Sequence, residues 1–288
     1  MTDPGSGPTG GPVPDRAGYA AALQTTFDGL DPVVDDLLLL ERHEVSELFD
    51  RAPARELAGV LHSDPRLRRF LVSRCPEVEP RMDALLAAFG PVGSQDITRC
   101  VQAVVWEVAD LIAYERAPDL YDQRSAITFD AAAVDELAPL AGATAADVGA
   151  GTGRVTLGLA PHASQVFAVE PVANLRHHLR TRIADDQISN VLVLDGRLDD
   201  LPLETGRVDV LVTCHALGWN LRAELAEITR VLRPSGTAVH LFASPPPDTL
   251  ASGLTEAGYL NDHYQRGSVA LHRWWTHQEP WTAQAGRI

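Results

Sequence analysis

The stretch AADVGAGTGR, residues 145–154, decides the fold, because it joins a short apolar run to three alternating glycines. The run carries one acid, Asp147, and the residues after the glycines have a helical pattern. Glycine lets the backbone approach another group closely, and the N–H groups at a helix start attract hydroxyl, phosphate or carboxylate groups. The stretch therefore predicts a strand, a ligand-binding loop and a helix in direct succession.

Short apolar runs alternate with helical stretches from about residue 130 onward. Strands are predicted at 144–148, 164–170, 191–195, 208–213 and 236–243, with two further extended segments near 259–265 and 268–275. Helices are predicted around 153–160, 172–184 and 221–232, and another begins near Pro247. This alternation is typical of a parallel sheet covered by helices on both faces. The fold class is therefore α/β, a Rossmann-like, doubly wound, mostly parallel sheet of seven strands.

The part of the chain before this domain has a different pattern. Residues 1–18 contain nine Gly or Pro and few apolar residues, which predicts a disordered tail. Residues 19–125 have helical periodicity and predict an all-α N-terminal domain or cap. Residues 126–288 are left for the α/β domain.

Three local features of the helical part can be predicted. Asp31 and Asp64 each precede a proline, which predicts two helix N-caps followed by proline at the first helical position. Apolar residues recur at intervals of three and four from 94 to 116. This segment therefore predicts one long amphipathic helix.

The composition excludes several kinds of chemistry. All 24 basic residues are Arg, so the chain has no lysine for a Schiff base, a Walker A loop or a general base. With 39 acidic residues the formal net charge is −15, which repels nucleic acid. The sequence has no apolar run of membrane-spanning length and no N-terminal signal pattern, and its three cysteines are typical of reduced thiols. We therefore expect a cytoplasmic protein without a membrane or nucleic-acid partner.

Two classes of ligand compete for the glycine loop. The dinucleotide fingerprint G-x-G-x-x-G starting at Gly149 would need a glycine at position 154, which is Arg154. The chain instead has an acid followed by alternating glycines. This departure disfavours a NAD-dependent oxidoreductase.

The segment from Asp147 to Gly153, DVGAGTG, resembles motif I of the class I S-adenosylmethionine-dependent methyltransferases. The resemblance continues in order through VFAVEP at 166–171, VLVLDGRLDDLPL at 191–203 and RVLRPSG at 230–236. It covers about half of the chain and is greatest to small-molecule methyltransferases of the ubiquinone and menaquinone biosynthesis type. The resemblance implies S-adenosylmethionine as the cofactor.

The resemblance also implies which residues bind this cofactor. Glu170 ends the second strand, where a carboxylate accepts both ribose hydroxyls. Arg197 stands where the family usually has its adenine-binding aspartate, so the main chain of Leu198 is expected to serve adenine, with Asp195 or Asp199 as substitutes for the side chain. The expected cofactor set is Asp147, Gly149, Ala150, Gly151, Gly153, Glu170, Pro171, Arg197, Leu198 and Thr213.

The loop after the fourth strand, TCHALGWN at 213–220, should face the methyl group, because ligands bind at the carboxyl ends of parallel strands. His215 is the candidate catalytic base, and a structural role in the loop is its alternative. Trp219 is expected to wall a planar or cationic acceptor, or else to lie in the core. Tyr121 belongs to a segment that resembles the lead-in folding over the cofactor, and is either a substrate contact or a packing residue. Asn220 is predicted to cap the next helix.

Several other side chains are given structural roles. Arg176, Arg180 and Arg182 predict a solvated basic face on the helix after the second strand, and His240 predicts a hydrogen-bonded histidine in the core. The cysteines are expected to be small buried hydrophobic residues.

The predicted function is methylation of a small metabolite at oxygen, nitrogen or carbon, by in-line transfer without a metal ion. The alternative is a non-catalytic S-adenosylmethionine-binding module whose helical domain mediates partner binding or dimerisation. Aminopropyl transfer is disfavoured because the acidic constellation expected for polyamine substrates is not visible. The oligomeric state is left open, with a homodimer as one of the options.

Overall fold

The computed structural model describes residues 16–124 and 128–278, which form two compact units, one on each side of this break. Most of the tail predicted at 1–18 lies outside the described residues. Its last three residues, 16–18, form the start of the first helix.

The first unit is entirely helical in its described residues. Its α-helices are α1 Arg16–Thr26, α2 Arg42–Arg51, α3 Ala54–Ser63, α4 Pro65–Arg74, α5 Glu79–Ala88, α6 Ser94–Glu107, α7 Ala109–Arg116 and α8 Pro118–Arg124, with short 3-10 segments at Val34–Leu38 and Pro76–Val78. The helices bury one apolar core, which includes Leu37, Leu48, Leu61 and Ile112, all without exposed surface.

The two predicted N-caps have different outcomes. Asp64 caps α4, since its carboxylate accepts hydrogen bonds from the N–H groups of Arg66 and Leu67. The prediction at Asp31 is wrong, because this residue has a left-handed φ of 45° and no helix starts there. Arg116 donates to the carbonyl of Leu30 and pairs with Asp36 at 2.5 Å, so tertiary contacts hold the segment as a turn.

The single long helix predicted over 94–116 is also wrong. The chain leaves helical geometry at Val108, which has φ −126° and ψ 23°, so α6 ends at Glu107 and α7 begins at Ala109. Val104 and Leu111, on opposite sides of the break, are both buried in the same core. The spacing of the apolar residues therefore indicates which side chains are buried, whether or not the helix is continuous.

The second unit is an α/β domain. Its strands are β1 Thr144–Val148, β2 Gln165–Val169, β3 Val191–Leu194, β4 Val208–Cys214, β5 Leu232–Phe242, β6 Leu260–Arg266 and β7 Val269–His277. Its helices are α9 Ala132–Asp135, α10 Arg154–Leu159, α11 Ala173–Asp185, α12 Leu221–Val231 and α13 Asp248–Glu256. The strands lie within a few residues of their predicted positions.

The seven strands form one sheet in the order β3-β2-β1-β4-β5-β7-β6. The pairs among β1 to β5 are parallel, whereas β7 runs antiparallel to both β5 and β6. The predicted seven-stranded, mostly parallel sheet is therefore confirmed. The strand order reverses between β1 and β4, and in open sheets of this kind ligands bind outside the carboxyl ends of the strands at that point.

Helices cover both faces of the sheet. Alternate residues of β1 point to opposite sides, so Ala146 and Val148 join an apolar cluster with α12 and α13, and Ala145 joins the cluster with α9 and α10. Asp147 shares the face of Ala145. In the described part of the chain, no helix is long and apolar enough to cross a membrane.

Candidate functional site

The glycine loop between β1 and α10 depends on left-handed backbone. Gly149, Gly151 and Gly153 have φ of 76°, 54° and 94°, a region that disfavours side chains. A Cβ at Gly149 would lie 2.3 Å from the Cβ of Ala216, and one at Gly153 would lie 2.2 Å from Leu179 Cδ1. A Cβ at Gly151 would meet no heavy atom within 4 Å. The first and third glycines therefore pack the loop against the protein, and the second leaves an open side for a ligand.

Asp147 lies behind this loop at the end of β1. Its side chain is 1% exposed and accepts a 2.6 Å hydrogen bond from Thr156 Oγ1 of α10. Burial raises the pKa of Asp147 to about 6, against the effect of that hydrogen bond. The contact ties α10 to the strand and fixes the direction in which the loop leaves β1.

Glu170 follows β2 and holds the loop from the other side. Its Oε2 accepts a hydrogen bond from the Gly151 N–H at 2.8 Å, and its Oε1 accepts one from Val172 N at 2.9 Å. The N–H groups of Gly149 and Ala150 donate to the carbonyl of Val169. Burial raises the pKa of Glu170 to about 7. The end of β2 and the glycine loop are therefore one hydrogen-bonded unit.

Arg176 and Arg182 of α11 reinforce this unit, whereas Arg180 hydrogen bonds to β3. The predicted solvated basic face is only partly correct, because Arg180 is exposed but Arg176 and Arg182 are partly buried. All three donate to main-chain carbonyls: Arg176 to Glu170 and Pro171, Arg180 to Val193, and Arg182 to Thr152. Sequence reasoning missed these contacts because the spacing of arginines on a helix does not show which carbonyls the fold brings within reach.

The segment after β3 brings the predicted adenine residues to the same edge of the sheet. Gly196 is required by close packing, since a Cβ there would lie 2.5 Å from Pro202 Cδ. Arg197 pairs with Asp199 at 3.1 Å, and the side chain of Leu198 is buried in the core. Asp195, the other proposed substitute, pairs with Arg176 at 3.0 Å. Each of the two candidate aspartates therefore already has an arginine partner.

Thr213, near the end of β4, faces the core. Its hydroxyl lies 2.8 Å from Nδ1 of His240, and both residues are fully buried. Burial lowers the pKa of His240 to about 3, so the ring is neutral. Among the described residues, nothing hydrogen bonds to the buried Nε2 of His240. The prediction of a hydrogen-bonded core histidine therefore holds for one ring nitrogen and is wrong for the other.

His215 lies in the loop after β4 with a left-handed φ of 57°. Its Nε2 accepts a 2.7 Å hydrogen bond from the N–H of Ala243, and its ring meets Phe242 edge to face. A main-chain N–H can only donate, so Nε2 carries no proton in this arrangement and Nδ1 carries it. Burial lowers the pKa of His215, which favours the neutral ring. The geometry therefore sets Nδ1 as a hydrogen-bond donor and leaves Nε2 already engaged.

Glu224 organises the rest of this loop from the first turn of α12. Its buried carboxylate accepts hydrogen bonds from the N–H groups of Gly218, Trp219 and Asn220 at 2.8, 3.0 and 3.0 Å. Asn220 occupies the N-cap position, but its side chain makes no capping bond, so the predicted cap is wrong. The three bonds present Trp219 at the surface, where it is 63% exposed. The core alternative for Trp219 is therefore wrong.

Tyr121 belongs to α8 of the helical unit. Its ring packs edge to face on Tyr114, with 4.8 Å between the centroids, beside the apolar core of that unit. Its role as a substrate contact remains a prediction.

The three cysteines differ in burial, and the described residues form no cluster that could bind a metal ion. Cys75 and Cys100 are buried, as expected, whereas Cys214 is only partly buried. Burial raises the pKa of Cys214 to about 12, so its thiol stays protonated. Over 16–124 and 128–278, no group of three or more His, Cys, Asp or Glu is arranged to hold a metal ion.

Comparison with known proteins agrees with this geometry. Residues 146–240 match the family described as "Methyltransferase domain". Uncharacterized methyltransferases of Mycobacterium tuberculosis and Mycobacterium bovis are 32% identical over 125 residues, which is 43% of this chain and 46% of theirs. One from Geobacillus kaustophilus is 27% identical over 135 residues, or 44% of this chain and 60% of its own. The chain thus spans about half the length of the curated relatives it matches.

Solved structures give similar matches. An S-adenosylmethionine-dependent methyltransferase from Aquifex aeolicus is 19% identical, with a TM-score of 0.43 over 49% of this chain and 85% of that one. A phosphoethanolamine N-methyltransferase from Haemonchus contortus is 18% identical, with a TM-score of 0.41 over 55% of this chain and 43% of that one.

The fold, the glycine loop and the family match define the class of this part of the chain. Within the α/β unit, the sheet order and the match of residues 146–240 are those of a methyltransferase domain.

Proposed function

We propose that the protein transfers a methyl group from S-adenosylmethionine to a small molecule, at oxygen, nitrogen or carbon, without a metal ion. One observation carries the proposal: the Glu170 carboxylate accepts a hydrogen bond from Gly151 in a left-handed glycine loop whose ligand side is open. Oε2 of Glu170 accepts a hydrogen bond from Gly151 and Oε1 accepts one from Val172, and each oxygen has a second lone pair that can accept a ribose hydroxyl. The residues present therefore fit the cofactor.

The remaining cofactor roles follow from position. When bound, S-adenosylmethionine supplies an electrophilic methyl group on a sulfonium. The open side of the loop, with Gly151 at its centre, would hold the ribose and methionine parts. The turns at Pro171 and Arg197 lie at the carboxyl ends of β2 and β3, where the adenine would be bound.

The acceptor would lie against the loop after β4. Trp219 offers an exposed indole face, which suits a planar or cationic molecule. His215 would contact the acceptor through its Nδ1–H, because Nε2 already accepts from Ala243. In this role the imidazole orients the nucleophile and excludes water from it. Action as a base would require the bond to Ala243 to break.

The chemistry of the whole chain supports a small acceptor in the cytoplasm. The net charge of −15 opposes binding of nucleic acid, and the unpaired cysteines suit a reducing compartment.

Calorimetric titration with S-adenosylhomocysteine, the product form of the cofactor, tests the cofactor site. Glu170→Gln should weaken binding by about tenfold, because an amide replaces one acceptor oxygen with a donor. Glu204→Gln is the matched control, since Glu204 is an exposed acid of the same unit. Absence of binding by the wild type, or unchanged binding by Glu170→Gln, contradicts the proposal.

A second candidate is a cofactor-binding module without transfer activity, and the engaged Nε2 of His215 favours it. Methyl transfer to a panel of phenols, amines and enolisable carbonyl compounds separates the two. Tight cofactor binding with no product from any acceptor would support the module, and a methylated product would exclude it.

A further inference from the structure

Arg176 lies in the first turn of α11 and makes three contacts through a single nitrogen. Its Nη1 donates to the carbonyl oxygens of Glu170 at 2.8 Å and Pro171 at 2.6 Å, and lies 3.0 Å from Oδ1 of Asp195. The side chain is only 12% exposed, whereas that of Asp195 is 72% exposed. The guanidinium is therefore held in place mainly by the main chain of the turn after β2.

This turn is the one that aims the Glu170 carboxylate. Within the turn, the N–H group of Val172 donates to Glu170 Oε1. Arg176 donates to the carbonyl oxygens of the two preceding residues, Glu170 and Pro171. The main chain of Glu170 also donates to Leu194, the last residue of β3, which places Asp195 beside the turn. Arg176 thus links the ends of β2 and β3.

Arg176 is also a positive charge that acts on this carboxylate. The charged groups that act on Glu170 are Asp147 of β1, which raises its pKa, and Arg176 of α11, which lowers it. A guanidinium stays charged at every pH of interest, so this contribution is permanent.

We propose that Arg176 is a positioning residue for cofactor binding, which holds the turn after β2 so that the Glu170 carboxylate faces the open side of the glycine loop. The inference rests on the proposed function, because it assigns Glu170 to the ribose hydroxyls.

The test is titration of the full chain with S-adenosylhomocysteine from pH 5.5 to 8.5. Arg176→Met keeps most of the stem and removes the donor and the charge, and we expect at least about a tenfold loss of affinity at pH 7.5. The pH midpoint of binding should also move upward, because the charge that favours ionised Glu170 is gone. Arg176→Lys should recover the midpoint while leaving a weaker affinity, because an ammonium on a flexible stem does not hold the same three contacts as rigidly as the planar guanidinium.

Arg180→Met is the matched control, because Arg180 lies one turn further along α11 and donates to the carbonyl of Val193 within β3. It should alter stability without altering the affinity or its pH midpoint. The inference is overturned if Arg176→Met binds within twofold of the wild type with an unchanged pH profile, or if Arg180→Met moves both quantities equally. If Arg176→Met does not fold, the midpoint and affinity of Arg176→Lys decide by the same criteria. A wild type that binds no S-adenosylhomocysteine contradicts the proposed function itself, whatever the variants do.

Discussion

The Glu170 carboxylate has two roles, a structural one and a cofactor-binding one. It accepts hydrogen bonds from Gly151 in the glycine loop and from Val172 in the turn after β2, and in the proposed function it also accepts the ribose hydroxyls. Burial supports the structural role, since both carboxylate oxygens accept hydrogen bonds from main-chain N–H groups. The same burial opposes ionisation and so makes cofactor binding sensitive to pH.

Cofactor affinity should therefore rise with pH. Burial raises the pKa of Glu170 to about 7 and that of Asp147 to about 6, and a protonated Glu170 would present a donor where an acceptor is needed. Below pH 7 the affinity for S-adenosylhomocysteine should fall by up to about tenfold per pH unit for each proton taken up. Calorimetry in buffers of different ionisation enthalpy should show proton release on binding. An affinity that is flat from pH 5.5 to 8.5 would count against this prediction.

At the level of elements, the loop after β4 depends on a side chain that lies beyond it. The carboxylate of Glu224 collects three successive N–H groups, which gives the loop a fixed shape although Trp219 is exposed. A loop held in this way can present an aromatic face without burying it.

Replacing Glu224 with Gln should loosen this loop. The amide offers one acceptor oxygen to three donors, so at least one hydrogen bond is lost, at a cost of about 1–3 kcal/mol in the free energy of unfolding. The fluorescence of Trp219, obtained as the difference from Trp219→Phe in each background, should become more accessible to acrylamide. Affinity for S-adenosylhomocysteine should stay near the wild-type value, because the cofactor loop lies after β1. If acrylamide quenches Trp219 fluorescence equally in Glu224→Gln and in the control Glu204→Gln, Glu224 does not fix the conformation of the loop.

The strands were predictable from the sequence, and the helix boundaries in the first unit were not. Parallel strands buried on both faces are continuous apolar runs, and this signal is local. The break at Val108 and the turn at Asp31 depend on tertiary contacts, such as those of Arg116, that no local pattern contains. In the site, the distance in sequence from the glycine loop predicted Glu170. The hydrogen bonds of Arg176 to main-chain carbonyls and of Ala243 to His215 Nε2 could not be predicted, because they depend on the tertiary fold.

Both units of the molecule bury carboxyl groups. The helical unit buries a carboxyl group, Glu44, which has no exposed surface and accepts the N–H of Glu41. Burial raises its pKa to about 9. This group makes the stability of the protein depend on pH.

The sign follows from the two pKa values. Unfolded Glu44 ionises near 4.5, whereas the folded group stays protonated to about 9, so its stabilising contribution is full below pH 4.5 and is lost as the pH rises through 9. The loss is about 1.4 kcal/mol per pH unit within that window. Glu44→Gln does not titrate, so its unfolding free energy should depend less on pH and exceed that of the wild type above pH 7. Urea unfolding at pH 5.5, 7 and 8.5 measures this, with exposed Glu79→Gln as the control. Parallel curves for wild type and Glu44→Gln would contradict it.

The position of β7 in the sheet has a consequence for synthesis. This strand lies between β5 and β6 and comes after both in the chain, so the edge of β5 has no partner while residues 269–277 remain to be made. Chains emerge from the ribosome N-terminus first, and an open strand edge is a template for pairing with another chain. The nascent domain is therefore most prone to aggregate in the interval between release of β5 and arrival of β7.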